Sequence, residues 1–115
     1  MMTEHYFTAI DLFRIGDAGG PVVDRVRVGL DVEVITIRGT EWVVESPGGG
    51  MSTRSAAYPL RRPSSRWWRL PAGSPISYGL VVRNDHGHHW LIEPAVRMPL
   101  DTYRGLLRRL GGYFV

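Results

Sequence analysis

Residues 84–94, NDHGHHWLIEP, hold three of the chain's four histidines together with a tryptophan and a glutamate. His86, His88 and Glu93 spell H-x-H and, after four more residues, Glu. On a strand, two histidines at that spacing share a face, and a returning carboxylate can complete a facial set of metal ligands. No histidine follows His89, and His5 lies far upstream, so no further histidine near the cluster can add to the set. Three readings stay open: a metal site, a polar hairpin tip, and a single catalytic or ligand-binding histidine. Alternation also puts His89 and Glu93 on one face and Trp90 on the other.

Two other stretches carry chemistry. PGGGMSTRS runs three glycines into Ser52 and Thr53. Glycines let backbone amides approach an anion closely, and hydroxyls can bond a ribose or orient an amide. The second stretch is Trp67 and Trp68, flanked by Arg61, Arg62, Arg66 and Arg69. Both tryptophans cannot point inward on one straight strand: either one packs in the core while the other, Trp68, forms a stacking wall over a ring, or a bend between them lets both pack in the core. The same arginines and aromatics could bind single-stranded nucleic acid through phosphate contacts and base stacking. On that reading the chain is a nucleic-acid-binding or ribonuclease-type toxin with His88 or His89 as general base.

The elements that must position these groups fit within 115 residues, the length of one domain with a single modest core. There is no cysteine, so neither a disulfide nor a thiolate metal site can brace that core. All 14 basic residues are arginine, and the net charge of +3 suits a phosphate-bearing or polyanionic partner. No apolar run approaches the roughly 20 residues that span a bilayer, and no signal-peptide pattern opens the chain. The expectation is a soluble protein made in the cytoplasm, with export by a route that needs no signal peptide left open.

The patterning predicts a strand over residues 6–15 and one or two strands over residues 23–39 with a bend near Gly29. VEVITI and EWVVES flank RGT and predict a hairpin. Residues 47–68 read as a connection rich in Pro, Gly and Ser, and residues 70–79 as turns. LVVRND and HHWLIEPA read as strands about a turn at Gly87, with Pro94 ending the second. The clearest helix is LDTYRGLLRRL, with Asp101 as N-cap, Tyr103, Leu106, Leu107 and Leu110 along one face, and Gly111 as its stop. The fold class is therefore α+β and strand-dominated.

The order of FR at the end of the first strand, PGGGMSTRS, and WWRLPAGSPISYGLVVRNDHGHHWLIEPAVRMPLDTYRGLLRRL resembles the small type VI secretion exported effectors with an ADP-ribosyltransferase-like fold. The resemblance spans roughly Tyr6 to Leu110 and implies a twisted, split β core with a C-terminal helix, residues 1–115 forming one NAD-dependent toxin domain. It implies that NAD is the substrate, that no metal is used, and that ADP-ribose passes to an acceptor the sequence does not name, or to water. It places Arg14 against the NAD phosphates or ribose, Ser52 and Thr53 on the hydroxyl-bearing segment, and His89 on the ribose or behind that segment. Glu93 stands as the carboxylate that could stabilise an oxocarbenium ion. A toxin of this kind further implies an immunity or antitoxin partner and delivery by a contact-dependent secretion system. The spacing of His86, His88 and Glu93 also resembles the first metal motif of cupins, a competing expectation.

Overall fold

A computed structural model describes residues 5–115. In chain order its elements are β1 (His5–Phe7), β2 (Leu12–Asp17), β3 (Gly20–Pro21), β4 (Val34–Ile37), β5 (Thr40–Val43) and β6 (Met51–Arg54). There follow β7 (Arg66–Leu70), β8 (Pro75–Ser77), β9 (Leu80–His86), β10 (His89–Pro94), β11 (Met98–Pro99) and α1 (Leu100–Gly111). The fold is α+β and strand-dominated, as the patterning predicts. The main sheet runs β3-β2-β6-β10-β9, with β7 also paired to β2; β1-β8 and β11-β5-β4 form two smaller sheets.

The main sheet is split at β2. That strand pairs with β7 over residues 12–16 but meets β6 at a single position, Phe13 opposite Arg54. Beyond that position the side chain of Arg14 takes over from the ladder. Its Nη1 donates to the Ser52 carbonyl at 2.8 Å and its Nε to the Val22 carbonyl at 2.8 Å. The carbonyls are satisfied without strand pairing, so the two strands can diverge and leave space between their side chains.

The core packs the face of α1 bearing Leu100, Tyr103, Leu107 and Leu110 against Leu12, Met51, Leu80 and Ile92 of the sheets. Each such side chain contributes roughly 2 kcal/mol through removal from water. Tyr103 does more than fill volume. Its hydroxyl donates to the Ile92 carbonyl and accepts from the Met51 amide at 3.0 Å, so it ties β10 to β6 where their ladder ends. Burial pushes this phenol far above its ordinary range, so it stays a neutral donor. In this way α1 fixes the relative position of the two strands that carry Ser52 and His89.

The structure bears out the hairpin and corrects several other expectations. β4 and β5 pair in register from Ile37–Thr40 to Val34–Val43 about Arg38 and Gly39, with φ of 51° and 81°. Positive φ at both turn residues suits a two-residue turn whose twist matches the strands. Strands expected over residues 23–39 form only from Val34 onward. Before it, Asp31 Oδ2 accepts from the Arg27 amide at 2.7 Å and from Arg27 Nε at 3.1 Å. This local closure competes with ladder pairing, and Val23, Val26 and Val32 are buried from an irregular segment. Residues 51–54 and 66–68, read as connection, lie in strands, as do Leu70 and Pro75–Ser77 from the stretch read as turns. Pro99 rather than Asp101 occupies the N-cap; Asp101 lies in the first turn, where its charge complements the helix dipole. Gly111 is the last helical residue, packed so tightly that a Cβ there would meet Val23 at 2.9 Å.

Candidate active site

The site begins with a β-bulge. In the β9–β10 ladder His89 faces His86, while Trp90 faces Asn84, so Asp85 is the extra residue on β9. A bulge lets two successive residues of one strand confront a single residue of the other. Asp85 and His86 both turn toward His89 as a result. Asp85 Oδ2 accepts from Nδ1 of His89 and from Nδ1 of His86, each at 2.9 Å. Those two hydrogen bonds hold the Asp85 carboxyl below its usual range. An ionised carboxylate can only accept, so the His89 ring carries its proton on Nδ1. Ser52 Oγ lies 2.7 Å from Nε2. In the neutral ring Nε2 keeps a lone pair, and Asp85, His89 and Ser52 then form a directed chain in which the serine hydroxyl donates to the imidazole.

This chain ends at a cavity of about 160 Å³ in the divergence of β2 from β6. Arg14, Ser52, Thr53, Arg54 and His89 line it together with Phe13, Tyr58 and Trp67. Trp67 meets Phe13 and Tyr58 edge-on, with centroids 6.4 and 5.0 Å away, and its Nε1 donates to the Tyr58 carbonyl at 2.6 Å. Arg54 sits over the Tyr58 ring at 4.9 Å. Burial lowers the pKa of Arg14 from its ordinary value, with the Asp31 carboxylate opposing, and Arg14 stays a cation. Ile15 and Tyr58 are shared with a larger groove of about 600 Å³ lined by Pro59, Leu60, Arg61, Arg62 and Ser65. Among the described residues, none that lines either space carries a carboxylate.

Against this geometry stands one family match. Residues 11–113 match the family model described as the Tse2 ADP-ribosyltransferase toxin. The chain belongs to this family. No curated protein and no solved structure matches it. The Tse2 family's ADP-ribosyltransferase toxin activity is thus the frame within which the cavity has to be read, and the split β core is the architecture that carries it.

Within that frame Arg14, Ser52 and His89 come together as the sequence implies. Thr53, Trp68 and Glu93 do not join them in the expected way. Thr53 lines the same cavity, but its residue is buried and its hydroxyl donates to the Trp90 carbonyl at 3.1 Å, which leaves Ser52 as the hydroxyl that meets His89. Trp68 packs against the core and donates from Nε1 to the Asp17 carbonyl at 2.8 Å, and it is Trp67 that lines the cavity. Glu93 shares a face with His89 but is fully buried away from the cavity. Its oxygens accept from Arg83 Nε at 2.6 Å, Arg83 Nη2 at 3.2 Å, Ser46 Oγ at 2.8 Å and the Gly49 amide at 2.9 Å. Burial alone would raise this carboxyl, but these donors outweigh it and hold it below the usual range.

The glycine-rich turn therefore does cradle an anion, and the anion is Glu93 of the same chain. A Cβ on Gly49, at φ of 103°, would stand 2.3 Å from the Asp31 carbonyl oxygen, so only glycine permits this approach. The cupin-like set is dispersed as well. His88 Nδ1 pairs with Ser55 Oγ at 2.8 Å, and Glu93 belongs to Arg83. Sequence reasoning missed Asp85, Arg54, Tyr58 and Trp67. The bulge that aims Asp85 has no signature in the alternation of residues 80–86.

Proposed function

We propose that the chain cleaves the nicotinamide–ribose bond of NAD and transfers ADP-ribose to an acceptor in a target cell. The observation that carries this reading is the Asp85–His89–Ser52 chain opening onto an arginine- and aromatic-lined cavity in a member of an ADP-ribosyltransferase toxin family. The smaller cavity is below the usual 300–1,000 Å³ of a whole ligand site and has room for a ring the size of nicotinamide. The adjoining groove, with Arg61 and Arg62, suits the diphosphate and the adenosine.

In this reading the C1′–N bond breaks with its electron pair leaving on nicotinamide, and C1′ becomes an oxocarbenium ion. An acceptor nucleophile then bonds to C1′ and loses its proton; water in that place makes the reaction an NAD glycohydrolysis. Ser52 donates its hydroxyl hydrogen to His89, so its oxygen lone pairs are turned to accept from a ribose hydroxyl or the nicotinamide amide. Arg14 supplies positive charge for phosphate, and the faces of Tyr58 and Trp67 stabilise the developing cation. With no carboxylate among the described lining residues, that aromatic wall has the place that Glu93 was expected to take. Residues 1–115 act as one toxin domain on this reading, and an immunity protein that covers the cavity would neutralise it.

Nicotinamide release by the purified chain tests the proposal, beside Ser52→Ala and His89→Ala variants whose circular dichroism matches the parent. Turnover in the parent and its loss in both variants supports it. No turnover and no NAD binding by calorimetry, with a cell extract as source of acceptor, would overturn it. The groove's arginines also suit a nucleic-acid strand; in that case affinity for a single-stranded oligonucleotide would fall steeply with salt while NAD had no effect.

A further inference from the structure

The tip of the β9–β10 hairpin carries more than the Ser52 chain requires. His86 is largely exposed, touches neither cavity, and yet aims Nδ1 at the same oxygen of Asp85 that His89 uses. Two imidazole N–H groups converging on one carboxylate oxygen form an arrangement in which a single divalent cation can replace both hydrogen bonds. The donor atoms of Asp85, His86 and His89 all lie within 4.8 Å of one another, and the two rings are 5.1 Å apart. Ligands about a tetrahedral ion at 2.0 Å stand roughly 3.3 Å apart, so the two 2.9 Å pairs need to open slightly while the two histidine nitrogens, no more than 4.8 Å apart, draw together. The bulge is what makes this possible, because it sets two consecutive side chains of β9 opposite one of β10.

We propose that this tip is an inhibitory binding site for a late first-row divalent cation such as Zn²⁺, held by Asp85 and by Nδ1 of His86 and His89. Two imidazoles and one carboxylate favour zinc, copper or nickel over magnesium or calcium. Three protein ligands leave a fourth position for water and give a weaker hold than a closed structural site. Arg83 Nη1, 3.6 Å from Asp85 Oδ1, orients the carboxylate, and Glu93 offsets the repulsion between its charge and the ion. His88 stands apart from the set, bound to Ser55.

The inhibition rests on the proposed role of Ser52 and follows from where one proton sits. Without metal, Nδ1 of His89 carries the proton and Nε2 accepts from Ser52. A cation on Nδ1 obliges a neutral imidazole to carry that proton on Nε2. The His89–Ser52 hydrogen bond then reverses, and a serine lone pair that would face the substrate is taken by the ring. No oxidant or other reactant is needed, since the ion exchanges with water and the proton only changes nitrogen.

The experiment is a zinc titration of the chelator-treated full chain by calorimetry, with ¹⁵N histidine spectra recorded alongside. The expected result is one ion per chain at micromolar affinity, with metal on Nδ1 of His86 and His89. His86→Ala should weaken binding at least about tenfold, while His88→Ala leaves it unchanged. Zinc should slow nicotinamide release by the parent reversibly and leave the His86→Ala enzyme at its metal-free rate. Equal affinity in His86→Ala, ligation through Nε2 or His88, or no binding below about a millimolar overturns the site. Binding as described without nicotinamide release under any condition overturns the transferase reading and the inhibition with it, and leaves the ion site standing.

Discussion

Asp85 touches none of the residues that line the cavity except His89, yet the direction of the hydrogen bond on Ser52 depends on it. In Asp85→Asn the amide can present its NH₂ to the ring, and the proton on Nδ1 is no longer required. The two tautomers then compete, and Ser52 loses its fixed orientation. Turnover should fall on the order of a hundredfold, with KM for NAD within about threefold of the parent, as measured by initial rates of nicotinamide release. The two tryptophans make a second test at this scale. Trp67→Ala removes the cavity wall and should raise KM for NAD severalfold with little effect on stability. Trp68→Ala should instead cost about 2 kcal/mol in urea unfolding, because its ring packs on the core and its Nε1 holds the Asp17 carbonyl. A sequence shows that adjacent strand residues face opposite ways, but not which face is the core one. The partner strand decides that, and here Trp68 stands opposite Arg14.

Among the elements, those defined by local chemistry were legible and those defined by a distant partner were not. The β4–β5 hairpin follows from alternation and Arg-Gly in its turn; the strand ending at Pro94 and the amphipathic face of α1 follow from equally local patterns. β6 is different. MSTR has no apolar alternation of its own and becomes a strand because β10 pairs with all of it and Tyr103 closes the end. The irregular segment before β4 misleads in the opposite sense: its valines alternate with arginine, but Asp31 caps the Arg27 amide and breaks the strand. The resemblance singles out Arg14, Ser52 and His89, which the fold brings to one cavity, whereas the bulge at Asp85 depends on how Asn84 bonds the carbonyls of Gly87 and His89. Since Tyr103 sets the spacing of β6 from β10, Tyr103→Phe leaves a buried amide and a buried carbonyl each short of a partner. It should cost roughly 2–3 kcal/mol by urea denaturation. It should also lower nicotinamide release beyond what the unfolded fraction accounts for, because Ser52 follows Met51 and His89 precedes Ile92 by three residues.

For the whole molecule, the buried acid–base pair contributes to the response to pH beside the depressed carboxyls of Asp31 and Asp85. Glu93 is fully buried while Arg83 keeps a side chain 32% exposed, so water screens the pair on one side and its contribution is below that of a closed ion pair. The folded-state pKa of Glu93 is depressed, which means the unfolded chain binds its proton more readily. The resulting stability is present above the unfolded value of about 4.3 and is lost as pH falls through that value toward the folded one. Glu93→Gln should therefore be less stable than the parent by about 2 kcal/mol at pH 7, with the gap closing below about pH 4. Urea midpoints at the two pH values measure this. A gap that stayed constant into acid would mean that Glu93 acts through shape and not charge. The same variant separates structure from chemistry: the introduced amide can still meet Ser46 and part of Arg83, and Asp85 keeps both histidines. Under conditions where it is folded, Glu93→Gln should release nicotinamide within about fivefold of the parent rate, well above what Asp85→Asn retains. A loss as deep as that of Asp85→Asn would place the Glu93 carboxylate back in the reaction and require the buried pair to open during turnover.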